Sequence, residues 1–519
     1  MPKNKKNDLD VTRRVALKTA ATTGAGIVVS GSIAGAAGND ETIATVERVE
    51  AKEQWFSQRA YSLSGNKVLV PKEGGSFPKT TLALQIYRPK APQEIANIVK
   101  SYPATTPIAC VCGGHESSNA AIFASSEAVV LDMKNLNSIE FTRDDEGLLV
   151  TVGAGVVFRE LVEAVKNQRG ALPVGTGPGV GVVGYIVNGG LSGYFTRRLG
   201  LLGQRVVKAT MVTAAGEIRV LTAKDELLTA MMGAGSALGI ITDVTIRVAP
   251  ETVIQSTEQR VFSFNNREQA TAFCRGALGI MRDDVLSTEG VSFELVVTGT
   301  KALVATLIFF DSFDGSKSDF VKPLEELAAG MELPQVAEFG WSSWYEAAAA
   351  LWPVINEMKG APLVTLQHCV GTRGIPEERI LKFVSDTMVA EFPLDEAEMS
   401  IIEIRTLGGA ALTKSKVPSG NCQHQFFIDL ITMYDAKNKT LKERQEIAEA
   451  VRRVVEKAKT VKGLSVDFSG THSQPDDPYT SVKSSLIFGT ETTANMVKAM
   501  KKDLDPSNRF RFHPFAKLL

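Results

Sequence analysis

At 519 residues the chain is longer than one ordinary hydrophobic core supports, so two domains are expected. Its 44% hydrophobic and 22% charged residues describe a soluble globular protein. Lys plus Arg number 57 against 58 Asp plus Glu, a net charge of −1, and without a basic surplus nothing points to nucleic acid.

The chain opens on a basic, polar leader, "MPKNKKNDLDVTRRVALK", with Arg13-Arg14 in it. The mildly apolar "TAATTGAGIVVSGSIAGAAG" follows, and Ala34-Gly35-Ala36 supplies an A-x-A cleavage signal. This order reads as a twin-arginine export signal over residues 1–36, either cleaved at that site or kept as an uncleaved anchor. The apolar run is too rich in glycine and polar residues for a good spanning helix, so no stable membrane span is expected in the mature chain. The destination is the periplasm or the extracellular space. That route carries proteins already folded, often around a cofactor. The five cysteines suggest no disulfide framework, which suits a protein folded before export.

"TTLALQIYRPKAPQEIANIVKSY" reads as strand, turn and helix, the helix opening at Pro92-Gln93. "TPIACVCGGH" is a short buried strand running into a glycine turn. "AVVLDMKNLNSIEF" and "GLLVTVGAGV" are strands, and "VFRELVEAVKNQRG" is an amphipathic helix stopped by Gly170. "VVKATMVTAAGEIRVL" is a hairpin turning at Ala215-Gly216, and "GIITDVTIRVAP" is a further strand. Strands and helices mix without strict alternation, which predicts an α+β fold rather than a doubly wound sheet. Beyond Glu251 longer strands appear, such as "VSFELVVTG" and "ALVATLIFFD". Trp341, Trp344, Tyr345 and Trp352 fall there, to line a pocket or to pack a core. The tail "LDPSNRFRFHPFAKLL" follows a helix and reads as a terminal tie.

Three motifs carry chemistry. Gly179-Val-Gly181-Val-Val-Gly184 has the spacing of a dinucleotide fingerprint, but Pro178 precedes it and Gln204-Arg205 stand where an acid should. A longer lane, continued by Gly189, Gly190 and Gly193, lets backbone N–H groups lie against an extended phosphate-bearing ligand. Gly233-Ala-Gly235-Ser-Ala-Leu-Gly239 is either another ligand wall or a structural turn. In "ACVCGGHESSN", Cys110, Cys112 and His115 could give three metal ligands, but no second cluster supplies a fourth, so no metal is expected. His115 is presented on a turn at the end of an apolar strand.

Taken in order, "GGH", "LDMKNLNSI", "VTVGAGVVFRELVEAV", "ALPVGTGPGVGVVGYIVNGG", "RLGLLGQRV" and "GAGSALGIITDVTIRV" resemble the FAD-binding domain of the vanillyl-alcohol oxidase and para-cresol methylhydroxylase superfamily. Within it, the chain is similar to the berberine bridge enzyme-like flavoproteins, as are "EIRTLGGAAL" and "DPSNRFR" further on. The resemblance implies an α+β fold. A two-subdomain FAD-binding domain over 81–250 follows a lead-in at 37–80. An α+β substrate domain with an antiparallel sheet spans 251–465, and 466–519 returns to the first domain. It also implies FAD as cofactor, joined through a ring nitrogen of His115 to the flavin 8α-methyl carbon. Gly113, Gly114, Glu116 and Ser117 would wrap the pyrophosphate. Gly175, Thr176, Gly179, Gly181 and Gly184 would form the facing wall, and Gly189, Gly193 and Ile240 would meet the ring or ribityl chain. Some members add a cysteinyl tether in the pattern P-x-G-x-C-P; here Gly177 holds that place, so one covalent bond is expected. The chain also departs from the group at Val111 and Asn119, and its usual Asn-Tyr pair is replaced by "SGTHSQPDDPYTS".

The implied chemistry is hydride transfer from a CH-OH or CH-NH group of a small molecule to flavin N5, with molecular oxygen as the expected acceptor. A dehydrogenase using another acceptor, or a flavin carrier without turnover, stands as the alternative. Candidate bases are Tyr434 and Asp429 on "QFFIDLITMYD" and Tyr479 beyond it, with His424 and Glu403 behind them. Asp429 and Tyr434 are five apart on one strand, so only one of them faces the flavin. Neither the substrate nor the oligomeric state is written in these patterns.

Overall fold

A computed structural model describes residues 43–49, 85–115, 128–254, 256–285, 291–299, 303–311, 321–352, 363–394, 397, 399–413, 416–435, 438–469, 482–513 and 518–519. The leader, Glu116, Ser117, Asn119 and Tyr479 lie outside the described residues.

Two sheets build the first half. Strands β1 (Glu47–Val49), β2 (Gln85–Arg88), β3 (Ile108–Val111) and β4 (Val129–Asp132) pair in the order β1-β2-β4-β3, with β2, β4 and β3 parallel. Strands β5 (Ile139–Asp144) and β6 (Gly147–Gly153) belong to the second sheet. After the two-residue β7 (Gly170–Ala171) come β8 (Val206–Val212), β9 (Ile218–Thr222) and β10 (Ile240–Arg247). This sheet is antiparallel in the order β5-β6-β10-β8-β9. The helix Pro92–Ser101 starts where its proline needs no hydrogen bond and buries Ile95, Ile98 and Val99. The helix Phe158–Asn167 buries Phe158, Leu161, Val162 and Val165. It stops earlier than its glycine suggested. The chain turns at Arg169, with φ 53°, and Gly170 already belongs to β7, paired with β11 (Ala249–Pro250).

The second half is one eight-stranded antiparallel sheet. Its strands are β12 (Ser256–Phe264), β13 (Val291–Gly299), β14 (Leu303–Asp311), β15 (Gln335–Trp341), β16 (Leu363–Thr372), β17 (Met399–Thr406), β18 (Phe426–Asp435) and β19 (Ser465–Val466). The order is β15-β12-β14-β13-β17-β18-β16-β19. Period-two alternation gives the sheet two different faces. Phe293, Leu295, Val297, Ile402, Ile404, Phe426, Ile428 and Leu430 pack into a core with helices Arg267–Ile280 and Leu441–Thr460. The other face turns to the first half, where Cys369 and Phe427 join its core. Trp344 does the same: it is fully buried, and its indole N–H donates to the Leu172 carbonyl at 2.8 Å. It is an interdomain anchor rather than a pocket wall.

The tail is the tie its sequence suggested. The last turn of helix Glu491–Leu504 holds Lys501, whose Nζ donates to Asp505 at 2.6 Å and to the Ala237 carbonyl at 3.0 Å. The Arg509 guanidinium donates to the carbonyls of Tyr102, Pro103 and Ala214, and the Arg509 carbonyl accepts from the Ile108 N–H on β3. The tail thus braces the strand that carries His115.

Candidate active site

The strand β3 delivers the turn Cys112-Gly113-Gly114-His115 against the loop 177–181. The contact is backbone on backbone. A Cβ on Gly113 would stand 2.1 Å from the Gly181 nitrogen, and one on Gly181 would stand 2.4 Å from the Gly113 nitrogen. Gly114 adopts φ 74°, a turn that favours glycine. The His115 ring lies over Gly177 and Gly179: a Cβ on Gly179 would be 2.9 Å from Nε2, and one on Gly177 would be 3.6 Å from Cε1. The cysteines turn elsewhere. Cys112 packs its Cβ against Gly181 and Gly184, and burial pushes the Cys110 thiol up.

The lane runs on into the seam between the domains. Gly189, at φ 98°, meets Ser419 of the second domain. Gly193 is so close to the second sheet that a Cβ would stand 3.0 Å from both Arg405 Nε and Glu294 Oε2. Here Arg197 donates to the Leu407 carbonyl at 2.5 Å, and Gln204 Nε2 to the Ala411 carbonyl at 2.9 Å. The stretch "RTLGGAAL" is therefore a latch between domains. The motif at Gly233–Gly239 is no ligand wall: its first part lies in helix Glu226–Leu238, with Gly233 against the Pro418 carbonyl and Gly235 against Val187. Gly175 packs on the rings of Tyr185 and Phe158, and Ile240 opens β10 inside the core.

Three strands carry charge into this seam. Glu294 on β13, Glu403 and Arg405 on β17, and Asp429 on β18 share the face away from the helices, with Gln367 on β16 beside them. Arg405 Nε donates to Glu294 at 3.0 Å, and its Nη2 donates to Glu403. Gln367 Nε2 donates to both Asp429 oxygens, at 3.0 and 2.9 Å. Glu294 and Asp429 are 2% and 1% exposed, Glu403 beside them is half-buried, and one guanidinium cannot neutralise all three carboxylates. Burial first, and then Glu403, push Asp429 well above the ordinary carboxylate range; the same two causes raise Glu294. Burial alone would lower Arg405, but Glu403 and Glu294 outweigh it and hold it raised. Burial also raises Tyr194, with Glu294 and Glu403 adding to it. A carboxyl raised in this way takes up a proton more readily than an ordinary one, which suits it to exchange a proton with a bound substrate.

Strand parity sends Asp429 into this cluster and Tyr434 out of it. Tyr434 packs with Val364 and Ile447 beneath helix Leu441–Thr460, on the helix-covered side, so it is no candidate base. His424 is fully buried, stacked on Phe468 at 3.6 Å, and burial lowers it to about 4. Glu294, Arg405 and Gln367 were not anticipated. For Glu294 and Arg405 the signal was present in "VSFELVV" and "IIEIRT", where polar residues alternate with core positions.

The lane and seam fit FAD: one wall of backbone lined by glycines, a histidine ring over one end and titratable groups at the other. The family described as FAD binding domain matches residues 83–222. Curated relatives include (R)-6-hydroxynicotine oxidase of Paenarthrobacter nicotinovorans, 33% identical over 138 residues, 26% of this chain and 29% of that protein. Berberine bridge enzyme-like 6 of Arabidopsis thaliana is 33% identical over 132 residues, 25% of this chain and 23% of that protein. The chain thus spans less than half the length of these relatives. The solved glucooligosaccharide oxidase of Acremonium strictum superposes with a TM-score of 0.69 at 18% identity, over 90% of this chain and 96% of that one. The chain therefore carries an FAD-binding domain over residues 83–222, has berberine bridge enzyme-like proteins among its relatives, and shares its fold with a solved flavin-dependent oxidase.

Proposed function

We propose that the protein is an FAD-dependent oxidase of a small alcohol or amine, with the flavin attached to His115. The observation that carries this reading is the meeting of two parts at Gly193, one that can hold FAD and one that can move a proton. The turn Gly113–His115 and the loop 177–181 would hold the cofactor, and His115 is presented at the lane with no large side chain between. The name given to the Acremonium structure specifies a 6-S-cysteinyl, 8α-N1-histidyl FAD. Here Gly177 faces the His115 ring where a second tether would have to start, which favours a single bond. Bound FAD supplies a hydride acceptor for the substrate C–H bond.

The protein's part is positional and protolytic. Asp429, its carboxyl oriented by the Gln367 amide, takes the proton from the substrate O–H or N–H. Glu403 and Arg405 hold the charge around it while that proton arrives. The close seam of Arg197, Trp344 and Gln204 keeps water out of the lane. Molecular oxygen is the proposed acceptor, giving hydrogen peroxide. The leader with Arg13-Arg14 supports export by the twin-arginine route to the periplasm or beyond. Among the described residues, no helix is long and apolar enough to cross a membrane.

The test is the visible spectrum before and after acid precipitation. Yellow colour that stays in the pellet, and is lost from the pellet in His115→Ala, is the expected result. Colour released to the supernatant would remove the covalent bond, and a colourless protein that takes up no added FAD would overturn the flavin reading.

A further inference from the structure

The turn Gly420–Gln423 enters the seam from the second domain. It is tightly held: a Cβ on Gly420 would stand 2.1 Å from the Phe468 carbonyl oxygen and 2.3 Å from that of Leu486. Ser419 caps it, its Oγ accepting from the Asn421 N–H at 3.3 Å. Asn421 is fully buried, and among the described residues neither its Oδ1 nor its Nδ2 has a hydrogen-bond partner. Its Nδ2 is 3.8 Å from where a Cβ of Gly189 would be, so the amide faces the lane at a glycine with φ 98°. A buried donor and a buried acceptor left unpaired both cost stability, and a leucine of similar volume would remove that cost. A carboxamide kept there has its use in a ligand with a matching donor and acceptor.

Resting on the flavin reading above, we propose that the Asn421 carboxamide is a cofactor contact given by the second domain, paired with the polar edge of the flavin pyrimidine ring. That edge sets an N–H between two carbonyls, the complement of a primary amide. The phosphates and ribityl chain then belong to the first domain's backbone, and ring orientation depends on the docked second domain. Docking and flavin binding become one equilibrium, because Asn421, Ser419 and Gly189 sit together only when the latch is closed.

The test uses the full-length chain. In a His115→Ala background, Asn421→Leu should raise the melting temperature of the flavin-free protein yet weaken FAD binding about tenfold. The two effects have opposite sign, which a purely structural role does not produce. In the otherwise wild-type chain, Asn421→Leu should lower the flavin midpoint potential, since an N–H donor to a ring carbonyl favours the reduced form. Asn421→Asp, which keeps the shape and adds charge, should lower it further and serves if the leucine variant does not fold. Undiminished FAD affinity, or an unchanged potential in both variants, overturns the ring contact. A wild-type chain that binds no flavin sinks the flavin reading itself, a different result from wild-type binding that Asn421 does not affect.

Discussion

The two walls of the seam are built from opposite materials. The first domain offers backbone: Gly113, Gly179 and Gly181 bring chain segments together with no side chain between them. The second offers side chains: Glu294, Glu403, Arg405 and Asp429 reach the same place from three strands of one sheet. Backbone holds a large cofactor of constant shape, whereas side chains can be exchanged to suit a substrate. The difference predicts that the first wall fails through added volume and the second through changed charge.

The largest effect should come from Gly113→Val, which drives a branched side chain into the Gly181 backbone. No folded product retaining flavin is expected, measured as flavin-to-protein ratio after gel filtration; a yellow, stable variant would break the backbone-wall account. Next, Asp429→Asn should lower kcat by about 10²–10⁴ while flavin content stays at the wild-type level. Its pH dependence has a definite sign. The folded carboxyl ionises above its ordinary range, so the wild-type rate should climb with pH as Asp429 becomes a base, and the asparagine variant should lose that limb. Arg405→Met leaves buried carboxylates without their cation and should destabilise the fold by about 3–5 kcal/mol in urea.

A smaller test concerns Glu294. A carboxyl raised in the folded state stabilises it most below the unfolded pKa, and that contribution is lost as pH rises through the folded one. Glu294→Gln should therefore flatten the fall in urea midpoint from acid to alkaline pH. The least effect is expected from Tyr434→Phe, which keeps the packing under Ile447 and should change kcat less than twofold. A large loss of rate there would return Tyr434 to the site.

The elements were largely legible. Pro92, the apolar stripe of Phe158–Asn167 and the hairpin at Gly216 each announce themselves through local geometry. The glycine lane was legible for the same reason, since tight backbone contact excludes a Cβ whatever else surrounds it. The early stop of helix Phe158–Asn167 was not, because nothing local marks Arg169 as the left-handed residue.

What the sequence by itself determined is the local part: periodicity, turns, the histidine at the end of β3 and the parity that separates Asp429 from Tyr434. Parity is a property of one strand, so it needs no neighbours. Which of the two faces the first domain was decided only by the tertiary structure, through helix Leu441–Thr460 covering the even side of β18. So too was the meeting of Glu294 with Arg405, which are 111 residues apart and become neighbours only through strand pairing. The raised carboxyls follow from that meeting, because burial and like charge act through space and not along the chain.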